Sequence, residues 1–142
     1  MSVFLGQHVK ETLMGCEALT EKVADRIYPV IAIQGTPQYP FVRYFTEVTD
    51  AEYDKGPGGL EHVQDSCTMT VHCVDKKYDS AVLMLDAARK ALECKGGIYT
   101  DFKLDPARVQ SADCYFDTDL AAFVGELVLT TNTQPVEEND NV

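Results

Sequence analysis

The run Ser66-Cys67-Thr68-Met69-Thr70-Val71-His72-Cys73-Val74 decides how this chain is read. Successive side chains of a strand point to opposite faces. The alternation therefore puts Cys67, Met69, Val71 and Cys73 on one face and Thr68, Thr70 and His72 on the other. This is the pattern of a central strand. The helical pattern over residues 78–94 gathers Val82, Leu85, Ala88 and Leu92 on one side, a stripe that needs a sheet beneath it. Strand and helix make one packing unit, which the rest of the chain must complete.

Working outward, residues 41–49 alternate as a partner strand, with Phe41, Arg43, Phe45 and Glu47 on one face and Val42, Tyr44, Thr46 and Val48 on the other. Between the two strands, residues 50–59 hold Lys55-Gly56-Pro57-Gly58-Gly59 and read as a flexible hairpin tip. Upstream, residues 2–14 form an amphipathic helix with Val3, Phe4, Leu5, Val9, Leu13 and Met14 inward, Ser2 as its cap and Gly15 as its end. A helical turn or two follows over residues 17–24, capped at Thr20 with Val23 facing in. Pro29 then forbids helix and pushes Tyr28 toward an extended form. Residues 30–40, punctuated by Gly35, Pro37 and Pro40, form an ordered connector. Downstream, Lys95-Gly96-Gly97 ends the long helix, and residues 98–104 add a short extended piece. Residues 108–116 and 121–131 form a strand hairpin around Asp117-Thr118-Asp119. In its second strand Phe123, Gly125, Leu127 and Leu129 oppose Val124, Glu126, Val128 and Thr130.

This order predicts an α+β fold, an antiparallel β-sheet with an N-terminal helix and one long helix packed on one face. At 142 residues the chain is long enough to bury a real core. Residues 1–133 are expected to form a single domain, and residues 134–142 an acidic, disordered tail with too little apolar surface to fold.

Charge and chemistry narrow the function. The formal net charge of −11, with no clustered Lys and Arg, argues against nucleic-acid binding. Five cysteines, odd in number and without a C-x-x-C pair, signal neither a disulfide framework nor a zinc clamp and suit a reducing compartment. No segment has the pattern of a signal peptide or the length of a membrane span. His72 and Cys73 are neighbours in a strand and project oppositely, so they cannot share a metal. His8 and His62 have no second ligand in view. There is no nucleophile elbow, and the glycines at 56–59 join two strands instead of opening a helix onto a phosphate. The expectation is no enzyme, no catalytic residue, no cofactor and no metal.

One feature points outward. A sheet covered on one face should be polar on the other, yet both hairpins carry apolar residues on both sides. That leftover points to an interface for self-association or a partner, assigned to Tyr44, Val48, Val124 and Val128, against the alternative that the connector or the N-terminal segment hides the second face. The acidic tip, with Asp50, Glu52, Tyr53, Asp54, Lys55 and Glu61, is expected either to face a neighbour or the lumen of an assembly, or merely to solubilise the chain.

Leu19-Thr20-Glu21-Lys22-Val23, Asp25-Arg26-Ile27-Tyr28-Pro29, and Gln34-Gly35-Thr36-Pro37 with Pro40-Phe41-Val42-Arg43-Tyr44 together resemble the tail-completion (tail-terminator, tail-to-head joining) proteins of long-tailed bacteriophages and prophages. The stretch Thr68 to Val74 with the helix after it, and Tyr115-Phe116-Asp117 leading into Phe123-Val124-Gly125-Glu126-Leu127, fit as well. The resemblance covers about residues 3–132; the 50–59 tip and the acidic tail depart from it. It implies a structural protein without catalytic residues, assembled in the bacterial host cytoplasm as a ring, commonly a hexamer, at the head-proximal end of the virion tail. Its implied partners are its own copies, the major tail tube protein and the head connector or neck proteins. The competing readings are another neck or tail-tube component, or a cytosolic enzyme or small-ligand binder.

Overall fold

The computed structural model describes residues 5–29, 38–99 and 102–135. Among these are three helices, α1 (Leu5–Met14), α2 (Glu17–Val23) and α3 (Tyr78–Leu92). The strands are β1 (Ile27–Pro29), β2 (Phe41–Gly56), β3 (Gly59–Asp75), β4 (Gly97–Ile98), β5 (Lys103–Leu104), β6 (Arg108–Asp117) and β7 (Ala122–Gln134). The fold is α+β, and the sheet runs β1-β2-β3-β7-β5-β4 with β6 also paired to β7. Every pair is antiparallel except β1 with β2, which is parallel. The expected cap at Ser2, Val3 and Phe4, most of the 30–40 connector, and residues 136–142 of the acidic tail lie outside the described residues.

The quoted run is the centre of the sheet, as its alternation requires. Cys67, Met69, Val71 and Cys73 are all buried beneath the helices. Directly opposed residues on adjacent strands share a face, so the register assigns whole rows to the helix side. Val42, Cys73, Gly125 and Cys114 make one, and Tyr44, Val71, Leu127 and Ala112 the next. Leu5, Val9 and Leu13 of α1 and Leu19 and Val23 of α2 complete this core.

Helix α3 buries Ala88 and Leu92 of its expected stripe but not Val82 and Leu85. Ala81, Met84, Ala88 and Leu92 are fully buried, whereas Val82 and Leu85 are only half-buried. The helix is turned so that its small residues face the sheet, and Gly125 shows why. A Cβ there would lie 3.0 Å from the Ala81 carbonyl oxygen and 3.0 Å from the Leu85 Cβ. A glycine in the strand and alanines in the helix let the two layers close up.

Three expectations at element ends are corrected. Helix α2 starts at Glu17, directly after Cys16, so Thr20 lies within it and its Oγ1 donates to the Glu17 carbonyl (3.4 Å) instead of capping. Met14, at the last turn of α1, is exposed. The supposed flexible tip is strand: β2 and β3 stay paired as far as Gly56 opposite Gly59, leaving Pro57 and Gly58 as a two-residue link. Pro57, with its φ fixed at about −65°, cannot take the positive φ of a primed turn; the positive φ falls instead on Gly59 (113°), a conformation a side chain resists. Bulges between Val48 and Asp50 and between Glu52 and Tyr53 shift the pairing, which breaks the period-2 pattern by which a strand is read.

A candidate interaction surface

The four residues expected to share an outward face do not share one. Tyr44 pairs with Val71, and Val48 with Cys67, so both lie on the helix side. Tyr44 is buried there, close to Gly6 of α1, while Val48 stands beyond the helices and is exposed. Val124 and Val128 lie on the opposite face. Val124 is fully buried in a small second cluster with Phe41, Val74 and Ala122, closed over by Tyr28, Tyr39 and Leu120. Val128 is half-buried. Much of the second face is thus sealed by the chain's own residues, and the expected continuous apolar patch is not there.

Its centre is a polar ladder. Arg43, His72, Glu126 and Asp113 are directly opposed across β2, β3, β7 and β6. Arginine can only donate, so the Arg43 Nε bond to His72 Nδ1 (2.8 Å) makes that nitrogen an acceptor. The ring proton is then on Nε2, which donates to Glu126 Oε2 at 2.7 Å. This is a neutral imidazole held between a cation and an anion. Burial holds its pKa below the usual histidine value and Arg43 adds to this, while Glu126 acts against both. Phe45, 42% exposed, stands edge-on to the His72 ring at 6.0 Å. Arg43, His72 and Glu126 each stood out in the alternation of their own strand, and Asp113 did not. Their alignment depends on register between strands distant in sequence.

The remaining candidates are local structure. His8 Nδ1 and the Tyr99 hydroxyl share a hydrogen bond at 2.7 Å, and burial holds the His8 pKa below its usual value, with Glu11 opposing. His62 pairs with Asp65 at 2.7 Å. Cys73 and His72 do face opposite ways, and burial pushes the Cys73 thiol up to about 12, leaving it protonated and inert. A groove of about 570 Å³ opens where β6 leaves β7, lined by Ser66, Cys94, Asp105, Arg108 and Thr130 among others. Its lining mixes polar residues such as Thr49 and Asn132 with Pro106 and Ala107, and no histidine and no second carboxylate joins Asp105 there.

What does project is the far end of the β2–β3 hairpin. Strand β7 pairs with β3 only down to Asp65, so residues 52–56 and 59–64 form a bare two-stranded arm. At about 3.3 Å per residue it reaches roughly 20 Å. Of the six residues expected at a flexible tip, Glu52, Tyr53, Asp54, Lys55 and Glu61 lie on this arm and Asp50 at its root. Glu52 accepts from Gln64 Nε2 at 2.7 Å. The arm also carries apolar side chains in the open: Leu60 is 75% exposed and Tyr53 59%. At the other end of β3, Lys76 and Lys77 precede a second patch that sequence reasoning missed. There Phe123 stacks edge-on with both Tyr78 (5.5 Å) and Phe116 (5.2 Å), and Tyr78 and Phe116 are each 52% exposed.

No family model matches the chain. It is 25% identical over 126 residues to a D-alanine--D-alanine ligase of Xanthobacter autotrophicus, covering 89% of this chain and 33% of that protein. The chain therefore spans a third of the length of this curated relative. Its fold is shared with a chain from the virion of a native gene transfer agent particle, at a TM-score of 0.69 and 14% identity, covering 89% of this chain and 91% of that one. No helix among the described residues is long and apolar enough to cross a membrane.

Proposed function

We propose that this chain is a non-enzymatic structural component of a phage-like particle, and within it a tail-completion protein. In this reading it forms a ring, commonly a hexamer, at the head-proximal end of the tail tube, ends tube polymerisation and joins tail to head. The observation that carries the reading is the near end-to-end correspondence with a chain of a gene transfer agent virion. The resemblance of the segments around Asp25-Arg26-Ile27-Tyr28-Pro29 and Gln34-Gly35-Thr36-Pro37 supports it from the sequence side. Its partners are then further copies of itself, the major tail tube protein and the head connector.

Electron microscopy of particles made with and without the protein tests this. The expected result is tails of uncontrolled length, or tails lacking heads, when it is absent. Normal particles in its absence would refute it. The ligase similarity favours a second reading, in which the chain takes part in joining D-alanine to D-alanine. Chromatography for the dipeptide after incubation with D-alanine and a nucleoside triphosphate separates the two, and no product is expected.

A further inference from the structure

We propose that the outer edge of β6 takes up, as an added strand, an extended segment of a partner protein in which apolar side chains alternate with basic ones. The proposal goes beyond the tail-completion reading and does not depend on it. It begins from the way the sheet ends. A strand paired on one side only offers its remaining N–H and C=O groups to any chain that approaches, and folds blunt such edges with short strands, proline or lysine. Here β1 is three residues long and ends in Pro29, and β4 is two residues long. Strand β6 has no such device. It runs for ten residues without proline or lysine and, among the described residues, pairs with β7 alone. After the shift between Val109 and Ser111 its pairing stays regular to Asp117.

The two faces of the edge define what fits it. Register places Ala112, Cys114 and Phe116 on the helix side, where α3 packs over β7 and reaches β6. Ala112, Phe116 and Tyr78 are exposed there, and Cys114, Val82 and Leu85 are only half-buried. An added strand would lay every second side chain along this apolar strip. On the other face stand Asp113, Tyr115 and Asp117, with Glu126 directly behind Asp113. At the same end of the sheet Asp75, Asp79 and Asp119 outnumber Lys76 and Lys77, and Arg108 lies at the far end of β6, beyond the shift. The edge is acidic on one face and apolar on the other. Its complement carries basic residues opposite Asp113 and Asp117 and apolar ones opposite Cys114 and Phe116, which reads basic, apolar, any, apolar, basic. This sequence holds that pattern nowhere. The occupant is therefore a different protein and not a second copy, with main-chain bonds supplying affinity and alternate side chains supplying selectivity.

The test titrates the isotope-labelled full chain with an end-blocked peptide, Lys-Leu-Thr-Leu-Lys, which carries the pattern in either direction. Nuclear magnetic resonance should show amide shifts centred on residues 112–117 and on Val82 and Leu85. The β6 amides that do not bond to β7 should exchange quickly in the free chain and slowly in the complex. Asp113→Lys, at an exposed site, should keep the wild-type melting temperature and weaken binding by about tenfold or more, since an attraction becomes a repulsion. Asp117 is left in place because its Oδ1 accepts from the Asp119 and Leu120 N–H groups of the turn. Alternate nitrogens of a strand point to opposite edges. Of two further peptides, methylated on the threonine nitrogen or on both leucine nitrogens, one should bind and the other fail. Absence of any shift at about 1 mM peptide, the weak end of protein contacts, would overturn the proposal. So would shifts centred on the 52–64 arm, binding that neither methylation disturbs, or an Asp113→Lys variant that binds like the wild type. Outward β6 amides already protected in the free chain would overturn it too, because the edge would then be occupied from within or by a second copy.

Discussion

Changing Val124 to Asp asks whether the second sheet face is open or sealed. Val124 is fully buried between Phe41, Val74 and Ala122 beneath Tyr28, Tyr39 and Leu120, and the nearby polar groups of the ladder are already bonded to one another. The substitution removes a buried valine, about 1.5–3 kcal/mol of transfer energy. It also leaves a carboxyl group without a built partner, which adds about 1–3 kcal/mol even when the group takes up a proton to avoid being charged. The expected loss is roughly 3–5 kcal/mol, against the 5–15 typical of a whole domain. In urea, with a slope of about 2 kcal/mol per molar, the midpoint should fall by about 2 M. Val128→Asp, at a half-buried site between Thr70 and Ser111, should cost under about 1 kcal/mol. Equal midpoints for the two variants would refute the assignment of Val124 to a sealed cluster. It follows that a failure of Val124→Asp to assemble reports unfolding, whereas the same failure in Val128→Asp reports the surface.

Further consequences are open to measurement. Gly125→Ala should destabilise by about 1–2 kcal/mol in a urea titration, since the new methyl meets the Ala81 carbonyl at 3.0 Å and overpacking outweighs the smaller entropic gain from losing a glycine. Ala88→Pro, in the buried face of α3, should cost at least about 3 kcal/mol and abolish the cooperative unfolding transition. His8 and His72 both titrate below their usual value in the fold. The unfolded chain therefore binds protons first as pH drops through about 6.5. Their contribution is whole above that pH, declines as pH falls below it, and levels off once the folded values are passed. His72→Gln keeps an acceptor for Arg43 and a donor for Glu126 but cannot titrate, so midpoints measured from pH 7 to pH 5 should fall less steeply in that variant.

Within a single strand the sequence was a good guide, because alternation is a local property. The division of β2 and β7 into two faces followed from it, as did the inward set Cys67, Met69, Val71 and Cys73. What alternation does not carry is which face of one strand continues which face of the next. Tyr44 and Val124 were grouped as though they lay side by side, yet register ties Tyr44 to Val71 and Leu127 under the helices, and Val124 to Val74 and Tyr115 on the far side. The same gap hid the ladder of Arg43, His72 and Glu126, each visible alone. In α3 the sequence placed Ala88 and Leu92 inward correctly but preferred Val82 and Leu85 to Ala81 and Met84, whereas Gly125 makes closeness, not bulk, the deciding factor. The arm was taken for a loop because two bulges reset the period.

These corrections move the physical argument for assembly. Two-sided apolar strands suggested a wide greasy face; the fold instead folds Tyr44 under α1 and closes Val124 behind Tyr28, Tyr39 and Leu120. The surface left unsatisfied is at the ends of the longest hairpin, apolar and acidic at one, and at the other exposed aromatic rings among Lys76, Lys77, Asp75, Asp79 and Asp117. Self-association through these ends covers Leu60, Tyr53, Tyr78 and Phe116, and not a broad sheet face. Any contact there made through the charged side chains should weaken as ionic strength rises and screening shortens toward a few ångströms. Burial of a continuous apolar face would respond in the opposite sense, since excluded salts strengthen it, so the sign of the salt dependence of self-association separates the two geometries.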